Sequence, residues 1–331
     1  MAAHGSTGVW LRGTLTALAL ATIATLPSGL HAQDFPTRPV KIVVPFPAGG
    51  TADVMPRIVG DWLSRKWGEP VIIENKPGAA GNIGAEVVAN SEPDGYTLLS
   101  APPPPLVINQ NLYPKLPFDP TQFVPISVMG IVPNALVVNP QKIAATTVAD
   151  FIAYAKANPG KVSSATQGNG TTSHLTSEMF QMMADVKFVH VPYRGSAPAL
   201  QGLLAGDVDI MFDNHGVSLS LVEGGKLKLV AVGTEKRMAS LPKVPTIAEA
   251  LPGFTSSAWF AVVAPRGTPA RIAERISADI SEALRQPDVI KKMDSLSAEV
   301  VGSDPQATAK FMLEEVERWN KVIKAAGVKL E

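Results

Sequence analysis

The chain has 331 residues, 46% of them hydrophobic and 18% charged, which is ample for one or two packed domains. Its 29 basic and 29 acidic side chains cancel, so it lacks the cationic excess that nucleic acid or an acidic membrane surface would need. There is no cysteine, so an ordinary core rather than disulfides must hold the fold.

Residues 1–32 read as a secretory leader. A weakly basic start ends at Arg12, an apolar stretch over residues 15–26 is too short to span a bilayer, and Leu30-His31-Ala32 sets cleavage after Ala32. A retained membrane anchor is the alternative, and the shortness of the apolar run argues against it. No cysteine stands at the cut to carry a lipid. A free exported protein is retained only between two membranes, so the expected location is the periplasm, with release to the medium as the alternative.

The mature chain opens on a buried strand over residues 40–44 (VKIVV), a glycine-rich turn over 45–53 (PFPAGGTAD) and a helix over 54–67. Strand, turn and helix in that order aim the unpaired N–H groups of the first helical turn outward, at the positive end of the helix dipole. Gly49 and Gly50 let a guest approach those amides, and a small anion such as a carboxylate fits. Any tight strand-to-helix turn shares this geometry.

A second strand follows at 70–74, and a second glycine-rich turn at 75–84 opens a helix to about residue 90. A third strand spans 96–100, and the Pro- and Asn-rich stretch 102–123 reads as loop with at most one short helix. A strand at 135–139 precedes a helix that Thr147 and Asp150 start as a capping box and that stops near Gly160. A strand at 162–165 leads into a third glycine-rich turn, 167–173 (QGNGTTS), and a helix to residue 184. Strands at 188–191 and 208–212 flank a helix at 196–205 closed by Gly206, and another strand lies at 227–232. The last quarter carries a strand at 257–264, a helix at 269–285, a short helix at 288–296, a strand at 299–301 and an amphipathic helix at 305–326.

Alternating strands and helices predict mostly parallel sheets, and the restart near Ala135 predicts two α/β lobes. The pattern leaves open whether the last quarter is a third unit or returns to the first lobe. All three glycine-rich turns fall at the carboxyl ends of strands, where open α/β sheets bind ligands.

Signatures of chemistry are missing from the sequence. There is no G-x-S-x-G elbow and no H-E-x-x-H, and Gly168-Asn169-Gly170 lacks both the third glycine of a dinucleotide fingerprint and the lysine of a phosphate loop. Ser173 and His174 are neighbours, which seldom makes a nucleophile–base pair, so His174 reads as a helix-start residue. His190 and His215 read as structural or surface residues, and Asp207 and Asp209 as turn residues. No catalytic residue, cofactor or metal is predicted. Asp53 either complements the dipole of its own helix or faces a cleft and accepts from an amine or hydroxyl on the guest. Tyr193, at a strand end, is a pocket candidate, as are Asp213, Asn214 and His215, which follow a strand and either face a cleft or serve structure. Arg194 either clamps a distal carboxylate or pairs with a surface acid, and Trp259 and Phe260 read as core or hinge packing.

Several blocks together resemble one family over nearly the whole mature chain. PTRPVKIVVPFPAGGTAD, PVIIENKPGAAGNIGAE, EPDGYTLL, LPFDP, VPYRGSAPAL, GDVDIMFDN and VPTIAEALPGF, in that order, are similar to the Bug proteins, the solute-binding components of tripartite tricarboxylate transport systems. The resemblance implies a two-lobed periplasmic binding protein fold of type II topology, with two crossover strands and a cleft between the lobes. Residues 118–133 would carry the chain into lobe two and 253–264 would bring it back. Lobe one would then be residues 33–130 plus 256–331, and lobe two residues 131–255. It further implies a carboxylate held by Phe46, Pro47, Ala48, Gly49, Gly50, Thr51 and Asp53 from one loop and by Gly168, Asn169, Gly170, Thr171, Thr172 and Ser173 from another, with Tyr193, Asp213 and Asn214 beside them. The guest would be a dicarboxylate, a tricarboxylate or an aromatic acid, captured by a monomer without chemistry and delivered to the permease subunits in the membrane. A sensor feeding a two-component kinase and an exported hydrolase are the alternatives. Two departures from the family pattern stand out: Pro56 inside the first helix, and four prolines at 102–105 that would stiffen one pocket wall.

Overall fold

The computed structural model describes residues 35–329 together with Met1 and Gly5, so the expected leader and its cleavage after Ala32 lie outside the described residues. Strand β1 (Val40–Val44) pairs in parallel with β2 (Val71–Asn75) and with β3 (Thr97–Ala101). Helices α1 (Thr51–Trp67) and α2 (Asn82–Ala89) make the connections between them. The second group repeats this scheme: β5 (Val162–Thr166) lies between β6 (Phe188–Pro192) and β7 (Ile210–Asn214), parallel to both. Helices α3 (Val148–Ala157), α4 (Thr172–Ala184) and α5 (Ser196–Ala205) surround it. The capping box forms as the sequence predicts, with the Asp150 amide donating to Thr147 Oγ1 at 3.1 Å and the Thr147 amide donating to Asp150 Oδ2 at 3.2 Å.

Two long strands join the groups, and here the expectation of mostly parallel sheets fails. β4 (Val124–Val138) and β9 (Ser257–Ala264) run antiparallel to each other, from Val124 opposite Ala264 to Pro133 opposite Ser257. β9 is also antiparallel to β3, and from Asn134 onward β4 is antiparallel to β7 and to β8 (Lys228–Val232). Repeated strand–helix units make neighbours parallel within each group, but a chain that passes between groups and returns runs the other way. The sequence pattern finds only the last part of β4. Pro125, Gly130 and Pro133 break its period, and the pairing with β9 slips between Pro125 and Ser127 and again between Val128 and Gly130, the irregularities that let a strand hold such residues.

The remaining elements are α6 (His215–Glu223), α7 (Ala270–Ala283), α8 (Pro287–Asp294), β10 (Glu299–Val300) and α9 (Pro305–Ala326). β10 pairs with β4 at Ile131 and Gly130, so the last quarter returns to the first group. Helix α6 is absent from the sequence reading. Its N-cap is Asn214, but that side chain caps nothing and donates to Asn134 Oδ1 at 2.9 Å instead, so the usual start signal is lost.

Each group buries an apolar layer on both faces. In the first, Ile42 and Leu98 meet Met55, Val59 and Leu63 of α1 and Ile276 and Ile280 of α7, while Val43, Leu99 and Val263 meet Trp319 of α9. In the second, Leu136 and Phe212 meet Phe151 and Phe180, and Val137 and Met211 meet Ala199 and Leu203 of α5. Each Val, Leu, Ile, Met or Phe side chain among them contributes about 1.5–3 kcal/mol on burial. These layers fix the helices firmly enough to aim their first turns. Pro56 does not break α1, which runs without interruption through it. No described helix is long and apolar enough to cross a membrane.

Candidate functional site

Helix α1 begins at Thr51 behind Gly50, whose position offers no side-chain cap. Asp53 Oδ2 accepts from the Gly49 amide at 3.0 Å, and Oδ1 accepts from Arg57 Nε and Asn75 Nδ2, each at 2.9 Å. Asn75 Nδ2 also donates to the Phe46 carbonyl at 2.9 Å. Asp53 is therefore a clamp on its own loop. Burial raises its pKa, but the bonds from Arg57, Gly49 and Asn75 outweigh burial and hold it below the usual carboxylate range. The amides of Thr51 and Ala52, first in the helix, have no acceptor among the described residues, and the buried Thr51 Oγ1 has no partner either.

The second loop has the same form. Gly168 at φ 125° and Gly170 at φ 80° bend the chain in the left-handed region. Thr171 caps α4: its Oγ1 accepts from the His174 amide at 3.4 Å and donates to the Gly168 carbonyl at 2.7 Å. The amides of Thr172 and Ser173 are left without acceptors among the described residues, as is the buried Ser173 Oγ. The His174 ring turns away from that hydroxyl, toward Gly170 and Glu178, so the two neighbours form no nucleophile–base pair. Helix α5 supplies a third start, behind Gly195 at φ 100°.

These three starts converge. An inner chamber of about 20 Å³ is lined by Thr51 and Ala52 of α1, Thr171 and Thr172 at the head of α4, and Ser196 and Ala197 of α5, with Ala48, Gly50, Asn214, Phe260, Pro102 and Pro104 among the residues that close it. That is room for about one water molecule or one carboxylate oxygen. A Cβ on Gly50 would stand 3.6 Å from Ser196 Oγ, so the loops of the two groups nearly touch across it. Each helix start favours an anion by about 0.3–1 kcal/mol at the surface, and more where water is excluded.

An outer chamber of about 470 Å³ shares Phe46, Pro47, Gln167 and Gly195 with the inner one. Its walls also include residues 77–81, Tyr113, Gly168, Asn169, Tyr193 and Arg194. Ala79 and Ala80 have φ 47° and 50° between Gly78 and Gly81, also positive, a left-handed turn that costs about 1–2 kcal/mol for each alanine. Among the described residues no acidic side chain lines this chamber, and Arg194 is its one cation. Gln167 Nε2 donates to Asp213 Oδ1 at 3.3 Å and to Asn214 Oδ1 at 3.2 Å. Asp213 lies wholly buried behind these two, and burial pushes its carboxyl up to about 7 against the partial relief of its hydrogen bonds.

Of the residues singled out from sequence, Phe46, Pro47, Ala48, Gly50, Thr51, Gly168, Asn169, Thr171, Thr172, Tyr193 and Asn214 line one chamber or the other. Gly49 gives its amide to Asp53, and Gly170 gives its amide to His174. Asp53, Ser173 and Asp213 stand behind the walls. Gln167 and the turn at 77–81 lie in glycine-rich turns already placed at strand ends, Arg194, the candidate clamp, lines the outer chamber, and Phe260, read as core or hinge packing, lines the inner one; Tyr113 and Ser196 were not singled out. The turn and Ser196 each carry a glycine signal at a strand end. Tyr113 and Phe260 carry none, because they arrive from elements distant in sequence. Trp259 is core, as its indole donates to the buried Glu315 at 2.7 Å.

Among the described residues, His174, Glu178 and His190 are the one group of three whose ligating atoms gather within 4.8 Å, and they lie behind the second loop rather than in a chamber. Burial raises the Glu178 pKa, but the bonds from His174 and His190 overcome it and keep the carboxyl well below its usual range.

Residues 55–328 match the profile of the tripartite tricarboxylate transporter family receptor. The chain belongs to this family. The chain is 37% identical over 311 residues to protein BugT of Bordetella pertussis, covering 93% of this chain and 95% of that protein. It is 38% identical over 310 residues to a UPF0065 protein from the tcbD-tcbE intergenic region of Pseudomonas sp. strain P51, covering 93% of this chain and 91% of that protein. Among solved structures it resembles R. palustris Rpa4515 with adipate, at TM-score 0.87 and 39% identity over 89% of this chain and 99% of that one. It also resembles the periplasmic binding protein BugD, at TM-score 0.84 and 33% identity, over 90% of this chain and 100% of that one. MatC (Rpa3494) from Rhodopseudomonas palustris with bound malate matches at TM-score 0.82 and 33% identity, over 87% and 100%. The fold is that of the two-lobed type II periplasmic binding proteins, with a ligand cleft.

Proposed function

We propose that this receptor captures a small carboxylate in the periplasm by closing its lobes and delivers it to a membrane permease, making and breaking no bond. The observation that carries this reading is the convergence of three helix starts, α1, α4 and α5, on one small chamber whose nearest amides have no protein acceptor among the described residues. One carboxylate oxygen would sit there, on the amides of Thr51, Ala52 and Thr172. The body of the solute would extend into the outer chamber of about 470 Å³, within the usual size for a small-ligand site. Arg194, with no ion-pair partner among the described residues, would meet a second anionic group at the far end, and the prolines and Phe46 would exclude water along the chain. Two relatives with bound adipate and malate favour an aliphatic dicarboxylate among the acids considered.

The lobes would be residues 33–130 plus 256–331 and residues 131–255. The partner change of β4 after Pro133 and the start of β9 at Ser257 support these bounds. Closure would be an equilibrium that the ligand shifts by binding the closed form better, and only that form would dock productively.

A thermal-shift screen over mono-, di-, tri- and aromatic carboxylic acids, with neutral and cationic solutes beside them, tests the reading. A true ligand at about 100 times its Kd stabilises by about 2.7 kcal/mol and raises Tm accordingly. We expect one or more dicarboxylates to do so. A screen in which only neutral or cationic solutes raise Tm would remove the carboxylate.

A further inference from the structure

His174 and Glu178 lie four residues apart on α4 and share a face of it, while His190 reaches them from β6. His190 Nε2 stands 2.8 Å from Glu178 Oε1, and His174 Nε2 stands 3.5 Å from the same oxygen. The two rings meet edge to face at 4.8 Å. Glu178 and His190 are the titratable groups that face the His174 ring, one from its own helix and one from the strand packed against it.

The composition is that of a zinc triad, but the other side of the His174 ring argues against a metal. The Gly170 amide donates to His174 Nδ1 at 3.2 Å. A ring nitrogen that accepts a hydrogen bond carries no hydrogen, so the ring hydrogen lies on Nε2, toward Glu178. A metal at Nε2 would need the reverse tautomer, with Nδ1–H donating to an outer acceptor. Here the outer partner is itself a donor.

The same bond ties the cluster to the cleft. Gly170 stands between Asn169, which lines the outer chamber, and Thr171, which lines the inner one. The other ties of the loop hold residues on either side of Gly170: the Gly195 amide to the Gln167 carbonyl at 3.2 Å, Gln167 Nε2 to Asp213 and Asn214, the Gly168 amide to Thr166 Oγ1 at 3.3 Å, and the Thr171 amide and Oγ1 to the Gly168 carbonyl at 3.3 and 2.7 Å. We infer that His174 is a positioning residue for this loop and makes it acid-sensitive: protonating the ring puts a hydrogen on Nδ1, opposes the Gly170 N–H and releases the middle of the loop. The inference rests on the carboxylate-holding role proposed for the loop. For an intact site, loss of that one bond corresponds to roughly tenfold weaker capture.

The test uses ligand-free full-length mature protein labelled with ¹⁵N histidine and glycine, acidified stepwise and followed by NMR until the His174 ring signals stop moving. Before acidification His174 is expected to show hydrogen on Nε2 and a bare Nδ1. On acidification the Gly170 amide signal is expected to move with the same midpoint as the His174 ring. His174→Asn keeps an acceptor near Gly170 and does not titrate, so in that variant the Gly170 shift is expected to vanish. An Nδ1–H tautomer in the wild type, or a Gly170 midpoint that survives in His174→Asn, overturns the inference. So does a zinc titration at micromolar concentration that strips the hydrogen from His174 Nε2, which would establish a metal site instead. Because no ligand is present, failure here is distinct from failure of the carboxylate reading, which the thermal screen decides.

Discussion

Asp213 is the residue whose ionisation the fold opposes most clearly. It is wholly buried at the end of β7, and burial outweighs the hydrogen bonds from Ser218, Gln167 and Asn214 and pushes its pKa up from 3.8 to about 7. A carboxyl whose folded pKa lies above its unfolded one favours folding fully below the unfolded value. That contribution is lost as pH rises through the folded value. Wild-type stability should therefore carry a penalty that grows between about pH 4 and about pH 7, by roughly 1.4 kcal/mol for each pH step of one, and is level thereafter. Asp213→Asn keeps the acceptor for Gln167 and removes the charge. Its Tm relative to wild type is expected to climb from pH 4 to pH 7 in calorimetric scans. Parallel curves for the two proteins would show that Asp213 ionises without penalty. Asp53 is the opposite case, a carboxylate kept charged by three donors so that it can hold its own loop. Sequence shows both acids at element ends. It does not show that one faces a guanidinium and the other a sealed interior, because burial is a property of the packed molecule.

At the scale of elements, helix α5 shows how a glycine can serve packing rather than flexibility. A glycine inside a helix is ordinarily worse than alanine by about 0.5–1 kcal/mol. Gly202 of α5 is an exception, because a Cβ there would fall on the hydroxyl and ring of Tyr193, which lines the outer chamber. Gly202→Ala is thus expected to lower Tm by a few degrees and to weaken ligand capture by displacing Tyr193. A rise in Tm, as at an ordinary helical position, would mean the ring moves aside freely. Elements with local signals were legible. The limits of α5, α9 and β9 agree with the sequence reading, as does the capping box of α3, since caps, Gly206 and apolar period all lie within each segment. The start of β4 and all of α6 were not, because irregular pairing with β9 accommodates the prolines of one and Asn134 takes the cap side chain of the other.

At the scale of the molecule, local pattern stops short of topology. It counts two groups of strands but leaves the destination of the last quarter open, because strand pairing joins residues such as Ile131 and Glu299 that lie far apart in sequence. The return of α7, α8 and α9 to the first group, and the antiparallel pair that joins the groups, belong to that long-range pairing. The candidate site was legible where it consists of helix starts, since glycine turns at strand ends mark those. The convergence of three starts on one chamber was not, because it depends on how the two groups face each other. The most direct test is a crystal structure grown with the acid that most raises Tm. One carboxylate is expected within hydrogen-bond distance of the Thr51 or Ala52 amide and of the Thr172 amide, with its chain running toward Arg194. An acid group lodged away from the starts of α1, α4 and α5 would contradict the proposed site.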